Sequence, residues 1–187
     1  PLVVHEQNSV PGATTRLLKP LSQRVLTGFP GALGRRGEHV GNPVRPEISA
    51  IQAPAPRLSA RSGVLRLLVL GGSQGARRLN QGVPAALAQA GAEGIEVRHQ
   101  AGSAGFEATR ADYAARGIAA EVEAFIADMA EAYAWADLVI CRAGALTLAE
   151  LCAAGAAAIL VPYPDAVDDH QARNAELMVA RGAALRL

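Results

Sequence analysis

The stretch Leu65-Arg66-Leu67-Leu68-Val69-Leu70-Gly71-Gly72-Ser73-Gln74-Gly75-Ala76 decides how the rest of the chain is interpreted. Its first half is a mostly apolar run, which is typical of a strand buried on both faces. The glycines after it allow a tight turn and a close approach of the backbone to a ligand. The helical pattern that follows would direct free N–H groups and the positive end of its dipole at that turn. The stretch predicts either a phosphate-binding turn or, as the alternative, a tight strand-to-helix connection without a ligand.

The spacing of these glycines separates the turn from two familiar phosphate-binding patterns. G-G-S-Q-G is neither the dinucleotide pattern G-x-G-x-x-G nor the Walker pattern that ends in G-K-[ST]. An anion bound here would therefore be held without a P-loop lysine.

Short apolar runs alternate with longer helical patterns from residue 65 to the end of the chain. Strands are predicted at 65–70, 95–100, 121–125, 137–141, 157–162 and 183–187, and helices near 76–90, 105–116, 129–135, 146–154 and 170–181. This order predicts the α/β class, with a Rossmann-like doubly wound parallel sheet and helices on both of its faces. Ligands of such sheets bind beyond the carboxyl ends of the strands.

Residues 1–45 follow a different order. They predict a strand, a helix near 11–19, a strand at 24–27 and a glycine-rich loop. Residues 52–63 have the proline, serine and glycine content of a linker. We therefore place a domain boundary near residue 45, with 46–187 as the second domain. Because the chain starts and stops within apolar segments, we expect an excerpt of a longer protein whose second domain is truncated at its C-terminus.

The composition excludes several classes of protein. The 18 basic and 17 acidic residues are dispersed and leave a net charge of +1, which argues against a nucleic-acid partner. Cys141 and Cys152 form no C-x-x-C pair, so we expect a reducing cytoplasm and two buried apolar side chains rather than a disulfide. No apolar run reaches the roughly 18 residues that cross a bilayer.

Polar side chains follow two of the later predicted strands. Glu150 lies near the start of the helix after strand 137–141, where a carboxylate can accept hydrogen bonds from a ribose diol or, alternatively, complement the helix dipole. Gln171 and Asn174 share one helix face and suit sugar hydroxyls, with an ordinary solvated face as the alternative. His170 with its aspartates, or His5 with Glu6, lacks a third ligand at suitable spacing, so we predict no metal site.

Six sequence blocks together resemble the MurG glycosyltransferase family of peptidoglycan synthesis. They are His5-Glu6-Gln7-Asn8, Gly41-Asn42-Pro43-Val44-Arg45, Gly71-Gly72-Ser73-Gln74-Gly75-Ala76, Ala132-Tyr133-Ala134-Trp135-Ala136-Asp137, Arg142-Ala143-Gly144-Ala145 and Asp169-His170-Gln171 with Asn174. The resemblance implies the C-terminal half of a two-domain GT-B glycosyltransferase. Residues 1–45 would then be the end of the N-terminal acceptor domain and the interdomain connection, and 46–187 the Rossmann-like domain that binds UDP-GlcNAc.

The resemblance also implies a reaction. The family transfers GlcNAc from UDP-GlcNAc to lipid I, undecaprenyl-diphospho-MurNAc-pentapeptide, and forms lipid II with inversion at the anomeric carbon. It implies no cofactor beyond the donor substrate and a peripheral position at the cytoplasmic side of the bacterial inner membrane. Lipid I would be reached through the N-terminal domain, most of which we expect this chain to lack, so the chain alone is expected to be inactive.

Residue by residue, the resemblance implies a set of positions that bind the donor: Asn8, Arg45, Gly72, Ser73, Gln74, Ile126, Ala145, Leu146, Thr147, Leu148, Ala149, Glu150, Gln171 and Asn174. Asn8 and Arg45 would contact the donor from the interdomain side, and Ser73 would meet the diphosphate. Ile126 would pair with uracil through its backbone.

The remaining roles fall in the last third of the chain. Residues 145–150 would line the donor site, with Glu150 on the ribose, and Gln171 and Asn174 would read the GlcNAc hydroxyls. We assign no catalytic residue, because the candidate base is expected in the other half. Two alternatives stay open: a UDP-GlcNAc 2-epimerase of the non-hydrolysing kind, and a non-catalytic module that binds UDP-sugars.

Overall fold

The computed structural model describes residues 1–59, 61–72, 76–91, 93–163 and 169–187. These residues form two parallel sheets, one of three strands and one of six. The sheets follow one another along the chain, and residues 40–64 connect them; the domain boundary near residue 45 stays a prediction.

The smaller sheet comes first. It consists of β1 (Val3–Glu6), β2 (Arg24–Thr27) and β3 (Gly37–His39), joined by α1 (Ala13–Leu18) and by 3-10 turns at Lys19–Leu21 and Gly34–Arg36. The two predicted strands and the predicted helix are confirmed. The third strand was missed, because three residues inside a glycine-rich stretch are too few to show an alternating pattern.

The larger sheet contains β4 (Leu65–Leu70), β5 (Ile95–Gln100), β6 (Ala120–Glu123), β7 (Leu138–Cys141), β8 (Ala157–Leu160) and β9 (Ala184–Arg186). Their spatial order is β6-β5-β4-β7-β8-β9, and all are parallel. Counted from β4 this is the order 3-2-1-4-5-6 of a doubly wound Rossmann sheet. The predicted fold class is confirmed.

Helices cover both faces of this sheet. They are α2 (Pro46–Ser49), α3 (Pro54–Ser59), α4 (Arg77–Ala90), α5 (Phe106–Ala115), α6 (Met129–Trp135), α7 (Ala145–Ala154) and α8 (His170–Val179). Alternate side chains of β4 enter two separate cores: Leu67 and Val69 pack with α4 and α5, whereas Leu68 and Leu70 pack with α2, α6, α7 and α8. This double burial explains why β4 is almost continuously apolar.

The predicted linker at 52–63 is partly wrong, because α3 lies inside it. Pro54 occupies the first helical position, where its missing N–H costs nothing and its fixed φ suits a helix. Arg57 then donates to the backbone oxygens of Gln52 and Ala154, and Arg61 forms an ion pair with Asp137. The segment is thus held against the helices and strands of the larger sheet. These tertiary contacts cannot be read from its composition.

The two cysteines have different environments. Cys141 lies in the core, and desolvation raises the pKa of its thiol to about 12. Cys152 is exposed, so the expectation that both are buried is wrong for this residue. Within the described ranges, none of the helices has the length and apolar character needed to cross a membrane.

Candidate functional site

The carboxyl ends of β4 and β7 form the point at which the strand order of the larger sheet reverses. The two strands are neighbours, with Leu70 opposite Cys141 at their last paired position. The chain leaves β4 toward one face of the sheet and β7 toward the other, so a crevice opens between the two exits. The residues just beyond these strands are therefore the first candidates for a binding site.

The turn after β4 depends on two glycines. Gly71 donates its N–H to the Gln100 backbone oxygen at 2.9 Å, and a Cβ at Gly71 would lie 2.8 Å from that oxygen and 3.0 Å from the Ala76 nitrogen. Gly72 has φ of +75°, a conformation that favours glycine. Ser73 and Gln74, predicted to meet the diphosphate, lie outside the described residues.

Two helices begin at this crevice without side-chain caps. α4 starts after Ala76 and α7 after Gly144, and neither residue has a side chain that can accept a hydrogen bond. By contrast, α6 is capped by Asp128, whose carboxylate accepts from the Glu131 N–H at 2.9 Å. Among the described residues, the first-turn N–H groups of α4 and α7 thus receive no hydrogen bond from an N-cap side chain, and free N–H groups at helix N-termini bind anions.

A cleft of about 230 Å³ occupies the crevice. Its walls include Arg45, Gly72, Gln100, Tyr133, Arg142, Thr147 and Glu150. It therefore combines two cations, one carboxylate, the glycine turn and the start of α7 in one small space. Such a mixture suits a ligand with both phosphate and hydroxyl groups.

Glu150 is the carboxylate of this cleft, and it has a partner on each oxygen. Arg45 donates to Oε1 from Nε at 3.2 Å and from an η nitrogen at 3.0 Å, and Tyr133 donates its O–H to Oε2 at 3.1 Å. Glu150 is the sixth residue of α7, beyond the first turn in which a carboxylate complements the dipole. The alternative of a simple helix-dipole role does not fit this geometry.

Tyr133 is a cleft residue to which the sequence argument gave no role. Its side chain is fully buried, and the residue is part of the cleft wall. Burial, and then the neighbouring Glu150 carboxylate, raise the pKa of Tyr133 far above its usual range, so its O–H stays a donor. The need of a buried tyrosine hydroxyl for a partner is a signal that the sequence contained.

Ile126, predicted to pair with uracil, lies buried behind the end of β6. Its N–H donates to the side chain of Gln100 at 2.9 Å. Gln100 is itself a buried strand-end residue on the wall of the cleft. The described contact therefore occupies the N–H of Ile126, and the pairing with uracil stays a prediction.

The predicted run 145–150 divides by side-chain direction. Thr147 and Glu150, one helical turn apart, face the cleft. Ala145 and Leu148 are buried in the core, and Leu146 is exposed. Ala149 is partly buried and is not among the residues that line the cleft. Donor contact with the whole run stays a prediction, and the geometry favours Thr147 and Glu150 for side-chain contacts.

Asn8 and Asn174 meet at the seam between the two sheets. Asn174 is fully buried; its amide nitrogen donates to Asn8 Oδ1 at 3.2 Å and to the Ala143 oxygen at 3.3 Å. Its oxygen accepts from the N–H and the hydroxyl of Ser9 at 3.0 and 2.7 Å. Every donor and acceptor of this amide has a protein partner, so Asn174 joins the sheets, and its contact with a sugar stays a prediction.

A buried carboxylate shapes the turn that carries Asn8 and Ser9. Glu6 accepts from the N–H of Asn8 and the N–H of Gly12, both at 2.9 Å. Burial alone would raise the pKa of the Glu6 carboxyl, but these two bonds, together with side-chain bonds from Thr15 and Asn8, outweigh it and lower the pKa. Glu6 is thus ionised and holds the turn against α8.

Gln171 and Arg142 organise the exit from β8. The Gln171 side-chain oxygen accepts from the N–H of Tyr163 at 3.0 Å. Arg142, which follows β7, donates to the backbone oxygens of Val161 and Pro162 at 3.0 and 2.9 Å. Residues 164–168, which connect this exit to α8, lie outside the described residues, and the predicted contact of Gln171 with a sugar stays a prediction.

A second and larger cavity, of about 600 Å³, lies between α4 and α5. Arg77, Gln81, Asp112 and Arg116 are among its walls, and Arg116 is already paired with Asp112 at 2.9 Å. Within the residues that the structure describes, this cavity shares no lining residue with the cleft at the ends of β4 and β7, and no residue of α7 is among its walls. We therefore assign the functional site to the smaller cleft.

The described part of the chain contains no group of three histidine, cysteine or acidic side chains arranged to hold a metal ion. The expectation of a reaction without metal stays a prediction.

The sheet order and the position of the cleft define a doubly wound domain of the Rossmann class. The chain belongs to the family described as the glycosyltransferase family 28 C-terminal domain, whose model matches residues 66–187. This match begins one residue into β4 and includes the whole of the larger sheet that follows.

Curated relatives extend the similarity to the whole chain. A protein of Xanthomonas axonopodis pv. citri, named UDP-N-acetylglucosamine–N-acetylmuramyl-(pentapeptide) pyrophosphoryl-undecaprenol N-acetylglucosamine transferase, is 60% identical over 100% of the chain and 44% of its own length. A protein of the same name from Xylella fastidiosa is 58% identical over 100% of the chain and 51% of its own length. The chain thus spans about half the length of these relatives.

Solved structures agree with this assignment. MurG of Acinetobacter baumannii is 39% identical and superposes with a TM-score of 0.88, over 100% of the chain and 53% of MurG. A Streptomyces glycosyltransferase complexed with thymidine diphosphate, 16% identical, has a TM-score of 0.60 over 100% of the chain and 51% of its own and shares the fold. The resemblance to the MurG family and the assignment to its C-terminal half are confirmed.

Proposed function

We propose that this chain is the donor-binding part of a glycosyltransferase that moves GlcNAc from UDP-GlcNAc to lipid I and forms lipid II. The observation that carries the proposal is the cleft at the ends of β4 and β7, where Glu150 and Arg45 lie beside the glycine turn. The names of the relatives supply the donor and the acceptor. Because the chain spans only part of those proteins, the complete reaction belongs to the longer protein.

We assign a candidate partner to each part of the donor. The ribose diol would donate to Glu150, and the uracil would meet the backbone at Ile126. The diphosphate would lie at the turn of Gly72, Ser73 and Gln74, against the N-termini of α4 and α7.

The sugar would lie at the seam between the sheets. Gln171, Asn174 and Asn8 supply amide groups there, and such groups both donate to and accept from hydroxyls. In the described structure the Asn174 amide is fully used by Asn8, Ser9 and Ala143. Contact of Asn174 with GlcNAc therefore requires that at least one of these bonds be exchanged for a sugar hydroxyl.

Arg45 has two roles in the proposal, one without and one with the donor. Without the donor, its guanidinium pairs with Glu150. Its side chain is about half exposed, at 51%, so it can leave this pair at little cost. When a ribose takes its place on Glu150, Arg45 is free to pair with the diphosphate from the interdomain side.

The chemistry is a single inverting displacement. The 4-hydroxyl oxygen of the MurNAc unit bonds to the anomeric carbon from the face opposite UDP, the bond from that carbon to the β-phosphate oxygen breaks, and the hydroxyl proton passes to a base. The departing UDP gains negative charge, which uncapped helix N-termini and the turn N–H groups stabilise without a metal ion. Alignment of the acceptor is a matter of positioning by the other domain, where we also place the base.

The acceptor gives the enzyme its location. Lipid I is a membrane lipid with its sugar at the cytoplasmic surface, so we propose that the longer protein works as a peripheral protein on the cytoplasmic side of the inner membrane. Contact with the bilayer and with lipid I is assigned to the N-terminal domain. No nucleic-acid partner and no cofactor enter the proposal.

Titration calorimetry of the chain with UDP, UDP-GlcNAc and ADP tests the proposal. We expect UDP and UDP-GlcNAc to bind at least tenfold more tightly than ADP, and Glu150→Gln to remove most of the UDP affinity. Glu176→Gln is the matched control, because Glu176 is also an ion-paired helical carboxylate but is exposed and pairs with Arg186. Equal affinities for UDP and ADP would overturn the proposal.

A further inference from the structure

Tyr133 and Arg45 hold Glu150 in different ways. The Tyr133 ring is sealed in the core between α6 and the sheet, and its hydroxyl reaches Glu150 Oε2 at 3.1 Å. Arg45 approaches Oε1 from the chain segment between the two sheets and is about half exposed. Only the bond from Tyr133 can persist unchanged when a ligand enters the cleft.

A carboxylate that reads a diol needs a fixed orientation. A ribose donates two O–H groups, and both bonds form well only when the plane of the carboxylate faces the two hydroxyl oxygens. The last torsion angle of a glutamate is broad and is not set by its own chain. A second donor on the protein side is therefore needed to select one orientation.

We propose that Tyr133 is a positioning residue that orients Glu150 and so sets the preference of the cleft for ribose over deoxyribose. The proposal rests on the function proposed above, since it assumes that Glu150 receives the ribose. It adds a residue for which the resemblance gave no role.

The environment of Tyr133 supports this role. Burial and the nearby carboxylate raise the pKa of its phenol, so the hydroxyl keeps its proton and can donate to Glu150. The ring adds packing in the core that phenylalanine would preserve. Tyr133→Phe therefore removes one directed bond while leaving the shape of the core almost unchanged.

The effect of Tyr133→Phe should depend on the sugar of the ligand. With UDP, the variant loses the oriented carboxylate, and we expect the Kd to rise by about tenfold, as for the loss of one hydrogen bond to a charged group. With 2′-deoxy-UDP and 3′-deoxy-UDP, one of the two ribose contacts is absent from the start, so the Kd should rise about threefold or less.

Calorimetric titration of the chain with UDP and with the two deoxynucleotides tests this difference. The measured quantity is the ribose preference, the Kd for a deoxynucleotide divided by the Kd for UDP. We expect this ratio to be at least threefold lower in Tyr133→Phe than in the wild type. A thermal melt should show that the variant folds. In the Glu150→Gln background, Tyr133→Phe should change the preference no further, because the two residues act through one interaction.

Tyr113→Phe provides the matched control. Tyr113 is also a buried tyrosine whose hydroxyl bonds a titratable side chain, but that side chain is His99, in the core on the other face of the sheet. A purely structural effect of losing a buried hydroxyl would appear in both variants. We expect the Tyr113 variant to lower the melting temperature and to keep the full ribose preference.

The outcomes separate the two proposals. If Tyr133→Phe raises the Kd for UDP and for the deoxynucleotides by the same factor, the ribose preference is unchanged. That result overturns the role of Tyr133 and leaves the proposed function standing. A wild-type chain that does not prefer UDP to ADP overturns the proposed function. Loss of the ribose preference in the Tyr133 variant, with its retention in the Tyr113 variant, supports the inference.

Discussion

Two polar networks lie on opposite faces of β4, and each is built around a buried tyrosine. On the face covered by α4 and α5, Tyr113 bonds His99, which bonds Asn80; these three side chains are no more than 8% exposed. On the other face, Tyr133 bonds Glu150, which pairs with Arg45 at the cleft. The first network is closed and the second ends in an exposed cation.

Burial lowers the pKa of His99, so its ring is neutral near pH 7, and the closed network then has one consistent pattern of hydrogens. Asn80 Nδ2 donates to the Ala101 oxygen at 2.9 Å, so its Oδ1 must accept from His99 Nε2 at 3.1 Å. In the neutral ring the remaining nitrogen, Nδ1, carries no hydrogen and accepts from the hydroxyl of Tyr113 at 3.0 Å. Every group has a partner, so this network stabilises the fold and leaves nothing for a ligand.

The open network differs in one respect, which allows it to bind a ligand. Its carboxylate has one partner that cannot move and one that can, because Tyr133 is in the core and Arg45 is half exposed. A ligand can replace the mobile partner without leaving a buried group unsatisfied. The comparison teaches that an exchangeable partner, rather than polarity itself, distinguishes a binding network from a structural one.

The largest effect that we expect concerns the closed network and pH. Desolvation lowers the pKa of His99 from 6.5 to about 4. Below pH 6.5 the unfolded chain binds a proton that the folded chain does not, so the folded state loses stability as the pH falls from 6.5 toward 4. The loss amounts to about 3 kcal/mol for this one group.

Urea unfolding at pH 7.5 and near pH 4 measures this loss. His99→Gln is neutral at both values, so its free energy of unfolding should lack this part of the pH dependence. The amount by which the wild type exceeds the variant in free energy of unfolding should therefore be smaller near pH 4 than at pH 7.5. A difference that stays constant across the interval would show that the pKa of His99 is not lowered in the folded state and that the network is not closed.

The next effect concerns Glu150. Glu150→Gln keeps the size of the side chain but removes its charge, and with it the charge-assisted bonds to a ribose. We expect the binding free energy of UDP to weaken by about 2 kcal/mol, or about thirtyfold in Kd, with the chain still folded. Calorimetry measures the Kd for UDP, and a thermal melt shows whether the variant is folded. A variant that binds UDP as tightly as the wild type would show that the open network, like the closed one, is structural.

Arg45 provides a test in which two ligands respond in opposite directions. Arg45→Ala removes a cation from the diphosphate but also removes the competitor for Glu150. We expect UDP to bind about 1 kcal/mol more weakly and uridine, which has no phosphate, to bind about threefold more tightly. Competition titrations with both ligands measure this. Weaker binding of uridine would contradict the exchange of Arg45 between Glu150 and the donor.

The smallest effect concerns an ion pair that belongs to neither network. Arg24 and Glu38 are 2.6 Å apart, but both side chains are more than half exposed. We expect Arg24→Gln to change the free energy of unfolding by less than about 1 kcal/mol and to leave the Kd for UDP unchanged. Urea unfolding and calorimetry measure both. A large change in the free energy of unfolding or in the Kd for UDP would contradict this expectation. It would mean that an exposed ion pair outside the cleft has effects as large as those we assign to Arg45 and Glu150.

The sequence alone was sufficient for the architecture of the larger sheet. β4 to β9 and the helices between them follow from apolar runs, helical patterns and glycine stops, because local patterns determine these elements. The smaller elements were harder to predict: β3 is too short for a pattern, and α3 lies in a segment of linker composition. The segment that contains α3 is stabilised by bonds from Arg57 and Arg61 to residues that are distant in sequence.

The candidate site was predictable only in part. The glycine turn and Glu150 follow from their positions at strand ends, which the order of elements already indicates. The orientation of Asn174 into the seam depends on Ser9 and Asn8, more than 160 residues away in sequence. Tyr133 could be placed on a helix but not against Glu150, because pairs of this kind arise from the packing of α6 on α7.

A structure of the chain with UDP-GlcNAc tests the central claim most directly. We expect the nucleotide in the cleft at the ends of β4 and β7, with ribose oxygens within hydrogen-bond distance of Glu150, Tyr133 still bonded to that carboxylate and Arg45 turned to the diphosphate. A nucleotide bound instead in the larger cavity between α4 and α5, with Arg45 still paired with Glu150, would contradict the account.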